Sequence, residues 1–149
     1  MSARFPSGVG TTYNAGNSFV IAIPMQRGSK DTTHRQASGH AAEVLAADFL
    51  MQKGLNIIER NYRVRGGEID LICRDGKSLV FVEVRLRTRH DYGGAAASID
   101  GGKRRRIVLA ARHYLMGRPT ADCRFDCILL DRLEASAIEW LRNAFDADA

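Results

Sequence analysis

From Ser78 to Arg87 the chain alternates without a break. Val80, Val82, Val84 and Leu86 fall on one side, and Phe81, Glu83, Arg85 and Arg87 on the other. Alternation of this length marks a strand with one wholly apolar face. Glu68 to Cys73 reads as a second strand, with Glu68, Asp70 and Ile72 on one face and Ile69 and Leu71 on the other. Asp75-Gly76 between them is a favoured dipeptide for a two-residue hairpin turn. This hairpin constrains the fold more than any other segment, because a one-residue slip would turn every side chain to the opposite face.

The hairpin also poses a chemical problem. Glu68, Asp70 and Glu83 lie in its most apolar part, and carboxylates are costly to bury unless paired or bound to a metal. With Asp75 and Gly76 as the loop, Arg74 pairs with Lys77, Asp70 with Phe81 and Glu68 with Glu83. Asp70 and Glu83 then become diagonal neighbours, roughly 7–8 Å apart at Cα, able to converge on one cation. An all-oxygen ligand set without Cys or His suits a hard ion, Mg2+ or Mn2+. The competing reading is a half-exposed sheet whose acids are satisfied by nearby arginines.

The rest of the 149-residue chain organises around this hairpin. Residues 1–37 are rich in Gly, Ser, Thr and Asn and read as a mobile extension, with room for a short strand at Phe19 to Ile23. Residues 38–149 form the expected domain. A helix from Ser38 carries Ala42, Leu45, Ala46 and Phe49 on one stripe and stops at Gly54. Leu55 to Val64 is a strand that precedes the hairpin. Lys103 to Met116 is a second helix, ended by Gly117 and Pro119. Cys123 to Leu130 is apolar enough to be buried on both faces, and Ala137 to Leu141 reads as a last short strand. The order is α-β-β-β-α-β, an α/β fold with a mixed sheet flanked by helices.

Cys73, Cys123 and Cys127 have no zinc spacing and read as buried free thiols in a reducing cytoplasm. The apolar run Phe19 to Met25 is too short to span a bilayer, and nothing in the sequence implies export or a membrane partner.

Basic residues surround the acids. Arg85, Arg87 and Arg89 alternate along the third strand and its exit, and Lys103, Arg104, Arg105 and Arg106 open the second helix. Cations at a helix N-terminus oppose the macrodipole, so four of them point to an anionic partner. The net charge of +5 agrees with that. No base-reading motif accompanies them, which favours backbone contacts to nucleic acid over sequence readout. His34, His40, His90 and His113 form no spaced metal set, and Arg124 with Asp126 reads as a structural ion pair.

The stretch from Gly39 to Arg87, with the later "YGGAAASI", Lys103, "RFD" at 124–126 and "NAF" at 143–145, strongly resembles the YraN family of bacterial proteins. That family is similar to the restriction-endonuclease-like, or PD-(D/E)xK, superfamily and to archaeal Holliday-junction resolvases. The resemblance implies a catalytic set of Glu43 from the first helix, Asp70 from the second strand and Glu83-Val84-Arg85 from the third. It implies Mg2+ held by Asp70 and Glu83 with Glu43 completing the shell, and Glu68 supporting the site from beside it. Arg85 departs from the usual lysine; it cannot act as a base, but it can stabilise charge on a phosphate. The implied function is a Mg2+-dependent, structure-selective endonuclease for branched or nicked DNA, and the resemblance allows a homodimer. Two alternatives stand beside it: a non-catalytic nucleic-acid-binding protein that keeps the fold, which Arg85 favours, and a protein-interaction module.

Overall fold

The computed structural model describes residues 11–13, 19–21, 29–87 and 99–148. It divides into two compact units, Met1–Thr33 and His34–Ala149. In the first, β1 (Thr11–Tyr13) pairs antiparallel with β2 (Phe19–Ile21). Of the residues 1–37 expected to be mobile, 1–10, 14–18 and 22–28 fall outside the described residues, as do Arg89 and His90. Helix α1 spans Ser29–Gln52, nine residues longer at its start than its apolar stripe suggests. Residues 32–37 of that extension are exposed, so burial periodicity could not reveal it.

The second unit contains β3 (Asn56–Val64), β4 (Gly67–Asp75), β5 (Ser78–Leu86), α2 (Gly101–Leu115), β6 (Cys123–Leu130) and β7 (Ile138–Phe145). The five strands lie in sequence order, antiparallel throughout except for the parallel pair β5–β6. A parallel pair needs a crossover, which α2 supplies. The central strands are covered on both faces. Ala42, Ala46, Ala47 and Leu50 of α1 join a core with Val80, Val82, Ile128 and Leu130. Ile107, Ala110 and Tyr114 of α2 join another with Ile69, Phe81 and Phe125. The expected sequence of elements is present, with β7 running on to Phe145.

Two expectations need correction. Asp75 pairs with Ser78 and Ile72 with Phe81, so the loop residues are Gly76 and Lys77, not Asp75 and Gly76. Gly76 has φ of 59°, and glycine in the first loop position suits a type II′ turn. The two-residue shift keeps the faces of β5 but brings Asp70 opposite Glu83, where a diagonal had been expected. The alternation of β4 also breaks at Asp70. Ile69 packs on the α2 side with Ile72, whereas Leu71 and Cys73 pack on the α1 side. Across from the break, Asn61 has φ of 52°, and β3–β4 pairing skips it. Cys73 and Cys127 are buried, with thiols pushed up to about 12 by burial, but Cys123 is exposed at the start of β6.

Candidate functional site

The site begins where the hairpin ladder ends. Leu71 still pairs with Val82. One step on, the backbone N–H of Val84 donates to Asp70 Oδ2 at 2.8 Å, so a side chain stands in for a strand acceptor. Glu83, on the α2 side of β5, is only 7% exposed. Its Oε1 lies 3.4 Å from Lys103 Nζ, and its Oε2 is buried without a hydrogen-bond partner.

Burial, and then the neighbouring charge of Asp70, push the Glu83 carboxyl up to about 8. Burial also raises Asp70, against the opposing pull of the Val84 N–H. Two neighbouring carboxyl groups that raise one another hold a double negative charge poorly, and a proton or a cation can offset it. Glu43, near the middle of α1, is raised by burial and by the charge of Asp70, while a side-chain hydrogen bond from Asn61 acts the other way. The left-handed backbone of Asn61 and its amide therefore belong to the site, and the sequence reading missed them.

Lys103 reaches the acids from the first turn of α2. Asp100 caps that turn, its carboxylate accepting from the Lys103 N–H at 2.8 Å. The turn approaches β4 closely because Gly67 has no side chain: a Cβ there would lie 2.4 Å from the Arg106 carbonyl oxygen. Lys103 Nζ donates to Glu68 Oε1 at 3.0 Å, which lowers the Glu68 carboxyl. Burial alone would push the Lys103 ammonium down, but Glu83 and Glu68 outweigh that and raise it. Lys103 is thus an element of the acid cluster more than an outward-facing phosphate contact. Its inward direction agrees with its place near the helical face that carries Ile107 and Ala110.

The other predicted residues divide. Arg85 and Arg106 line a cleft of about 400 Å3 with Glu83 and Lys103. Arg106 also lines an adjoining cleft of about 260 Å3 with Arg63 and Glu68. Arg63 was missed, although Arg63 and Glu68 are cross-strand partners and follow from the Arg65-Gly66 turn. Arg105 is exposed. Arg104 turns back, its Nε donating to the Ile99 carbonyl and its guanidinium over the Phe145 ring at 5.7 Å. Arg87 is paired with Asp131 at 2.8 Å and Glu139 at 3.3 Å. His40 is exposed, and His113 bonds to the Tyr62 hydroxyl at 2.7 Å.

Arg124 and Asp126 do form an ion pair, at 3.0 Å. Asp126 is fully buried and also accepts from Trp140 Nε1 and the Asn143 N–H, at 3.0 and 2.9 Å. This network ties β6 to β7 and accounts for the "RFD" and "NAF" motifs as structural.

Among the described residues, no group of three or more His, Cys, Asp or Glu side chains is placed to hold a metal ion. Asp70 and Glu83 come together as a pair, and the charge of Asp70 raises Glu43. The pair nonetheless fits a hard divalent cation in chemistry. Both donors are oxygen, both carboxyl groups are raised, and one buried oxygen lacks a partner.

Residues 42–130, which contain every acid of the site, match the Uncharacterised protein family UPF0102. The UPF0102 protein of Dechloromonas aromatica is 61% identical over 124 residues, covering 83% of this chain and 99% of that protein. The UPF0102 protein of Nitrosospira multiformis is 53% identical over 111 residues, covering 74% and 93%, respectively. That of Methylobacillus flagellatus is 50% identical over 109 residues, covering 73% and 96%. With a family match across most of the compact unit and relatives this similar along nearly their whole length, the chain belongs to the UPF0102, or YraN, family.

Proposed function

We propose that the protein is a divalent-metal-dependent nuclease that cuts branched or nicked DNA by recognising its shape and backbone. One observation carries the reading: the unpartnered, buried Glu83 oxygen beside Asp70, ringed by Lys103, Arg85 and Arg106. The strand-borne Asp70 and the Glu83-Val84-Arg85 run agree with the PD-(D/E)xK pattern, and the described order of elements is compatible with that superfamily. Asp70 and Glu83 would hold Mg2+ or Mn2+. Once bound, such an ion activates water and polarises a phosphate. The chain's own groups do the rest. The Val84 N–H fixes the Asp70 carboxylate. Arg85 and Arg106 meet phosphate oxygens. Lys103, its ammonium raised by the acids, stays protonated at neutral pH and stabilises charge instead of accepting a proton. Glu43, hydrogen-bonded to Asn61, lies near enough to feel the charge of Asp70.

The test is cleavage of junction, flap and nicked substrates in Mg2+ and Mn2+, with Asp70→Asn and Glu83→Gln purified in parallel. The proposal expects cleavage by wild type alone. Equal cleavage by all three proteins, or none by any, would remove it.

A second reading, a nucleic-acid-binding protein without catalysis, is favoured by the Lys103 ammonium. That group already offsets Glu68 and Glu83, as a metal would. Calorimetric titration with Mn2+ separates the two: a site indifferent to the ion, with and without DNA, supports binding alone.

A further inference from the structure

A cleft of about 640 Å3, larger than either cleft at the acid site, opens at the other end of α2. Its floor is Leu79 and Tyr114; its rim carries Arg74 and Lys77 from the β4–β5 turn, and Arg118 and Asp122 from the loop leading into β6. The frame is well held. The Leu79 N–H donates to the Asp122 carbonyl at 2.8 Å. Arg118 lies over the Tyr114 ring at 4.0 Å, and its Nε donates to the Tyr114 carbonyl at 2.7 Å. Among the described residues, its terminal nitrogens have no partner, and neither Arg74 nor Lys77 forms an ion pair. Three cations face one carboxylate, leaving two positive charges around a volume ample for a phosphate group.

The cleft is not isolated from the acid site. From Lys103 to Tyr114, α2 advances about 16 Å, and the exposed Arg105 and Arg112 lie seven residues apart on its outer face. These cations link the two ends of the helix. We propose that this cleft is a remote phosphate site for a nucleic-acid strand whose other contact is the basic start of α2. The proposal rests on the nucleic-acid reading above but not on catalysis. A span of about 16 Å corresponds to roughly five steps of a B-form strand, so a dinucleotide cannot bridge it.

The experiment measures binding of a 15-nucleotide single strand and of a dinucleotide to the full chain in EDTA, across a range of salt. The variants are the triple Arg74→Ala/Lys77→Ala/Arg118→Ala and the single Lys77→Glu, whose side chain supports no packing. For the 15-mer, the log–log salt slope should fall by about 0.7 in the triple variant, the value for one lost single-strand phosphate contact, and Lys77→Glu should weaken binding. The dinucleotide, too short to reach both sites, should bind wild type much more weakly than the 15-mer does. An unchanged 15-mer slope in the triple variant overturns the remote site and leaves the acid-pair reading standing. Inorganic pyrophosphate resolves the source: if it binds wild type but not the triple variant while the 15-mer slope stays fixed, the cleft takes a free phosphate compound and the strand assignment is wrong. If wild type binds no oligonucleotide, the nucleic-acid reading and this proposal fall together.

Discussion

Glu83→Gln tests the acid pair without any substrate. Glutamine keeps the shape of the side chain and removes only its ability to ionise. In the folded protein the Glu83 carboxyl rises from its ordinary 4.5 to about 8, through burial and the charge of Asp70. A raised carboxyl means that the fold prefers the protonated form. Its contribution to stability is complete below about pH 4.5 and is lost as the pH climbs through about 8. At about 1.4 kcal/mol for each unit of displacement, the loss is on the order of a few kcal/mol. For a chain of this size that corresponds to a fall in Tm of roughly 5–10 °C.

Thermal and urea unfolding of the two proteins in EDTA at pH 5, 7 and 9 reads this directly. At pH 5 the curves should nearly coincide, since the glutamate is protonated there. By pH 9 Glu83→Gln should be the more stable protein, because wild type then buries a carboxylate with one unpartnered oxygen. Mn2+ at pH 8 should raise the Tm of wild type and leave the variant where it was, since a ligand stabilises only the form that binds it. A gap between wild type and variant that stays constant from pH 5 to pH 9 would refute the raised carboxyl, and with it the physical basis for a cation between Asp70 and Glu83.

Three further outcomes follow from the same geometry. Gly67→Ala should cost about 1–3 kcal/mol in urea unfolding, the usual range for overpacking, because its new methyl would lie 2.4 Å from the Arg106 carbonyl; α2 must then retreat and carry Lys103 away from the acids, so wild-type stability would count against the close approach. Asp126→Ala should cost about 3–5 kcal/mol by removing one member of a buried, hydrogen-bonded ion pair, and a loss below 1 kcal/mol would show that the network contributes little. Lys103→Met should tighten Mn2+ binding, read by calorimetry, while abolishing any cleavage; weaker Mn2+ binding would show that the ammonium organises the carboxylates instead of competing with the ion.

Much of this could be read from the chain because burial imposes periodicity. The two-sided cover of β5 and β6 made them apolar runs, and the half-covered helices carried stripes. Face assignment on β5 survived an error in the turn, since a two-residue shift preserves parity. What failed was local. Asp75-Gly76 has the composition of one turn type, but Gly76-Lys77 satisfies another, and nothing in the dipeptide distinguishes them without knowing where φ turns positive. The break at Asp70 was hidden for a related reason: a carboxylate that accepts from the Val84 N–H replaces a ladder bond, and a side chain acting as backbone leaves no periodic trace. Arg87 was misleading in the opposite sense. Its partners Asp131 and Glu139 come from a loop and from β7, more than forty residues away in sequence, where charge spacing carries no information.

Lys103 connects these local failures to function. Of the four cations that open α2, Lys103 lies near the face of Ile107 and Ala110 and turns inward to Glu68 and Glu83; the other three read as an outward patch, yet Arg104 turns back to Ile99, and only Arg105 and Arg106 remain exposed. The patch is therefore two arginines beside an acid cluster already partly neutralised from within. Such a site can hold two carboxyl groups close together without a metal, because Lys103 supplies one charge and a proton on the raised Glu83 carboxyl can supply another. A divalent ion would displace that proton, and its binding should strengthen as the pH rises toward the Glu83 value of about 8. The ammonium would remain, since the acids hold it protonated well above that pH. Under the proposed nuclease reading, the ion and Lys103 would be simultaneous occupants, one for the carboxylates and one for the charge that develops on a phosphate, and Arg85 would have no need to do the work of a lysine.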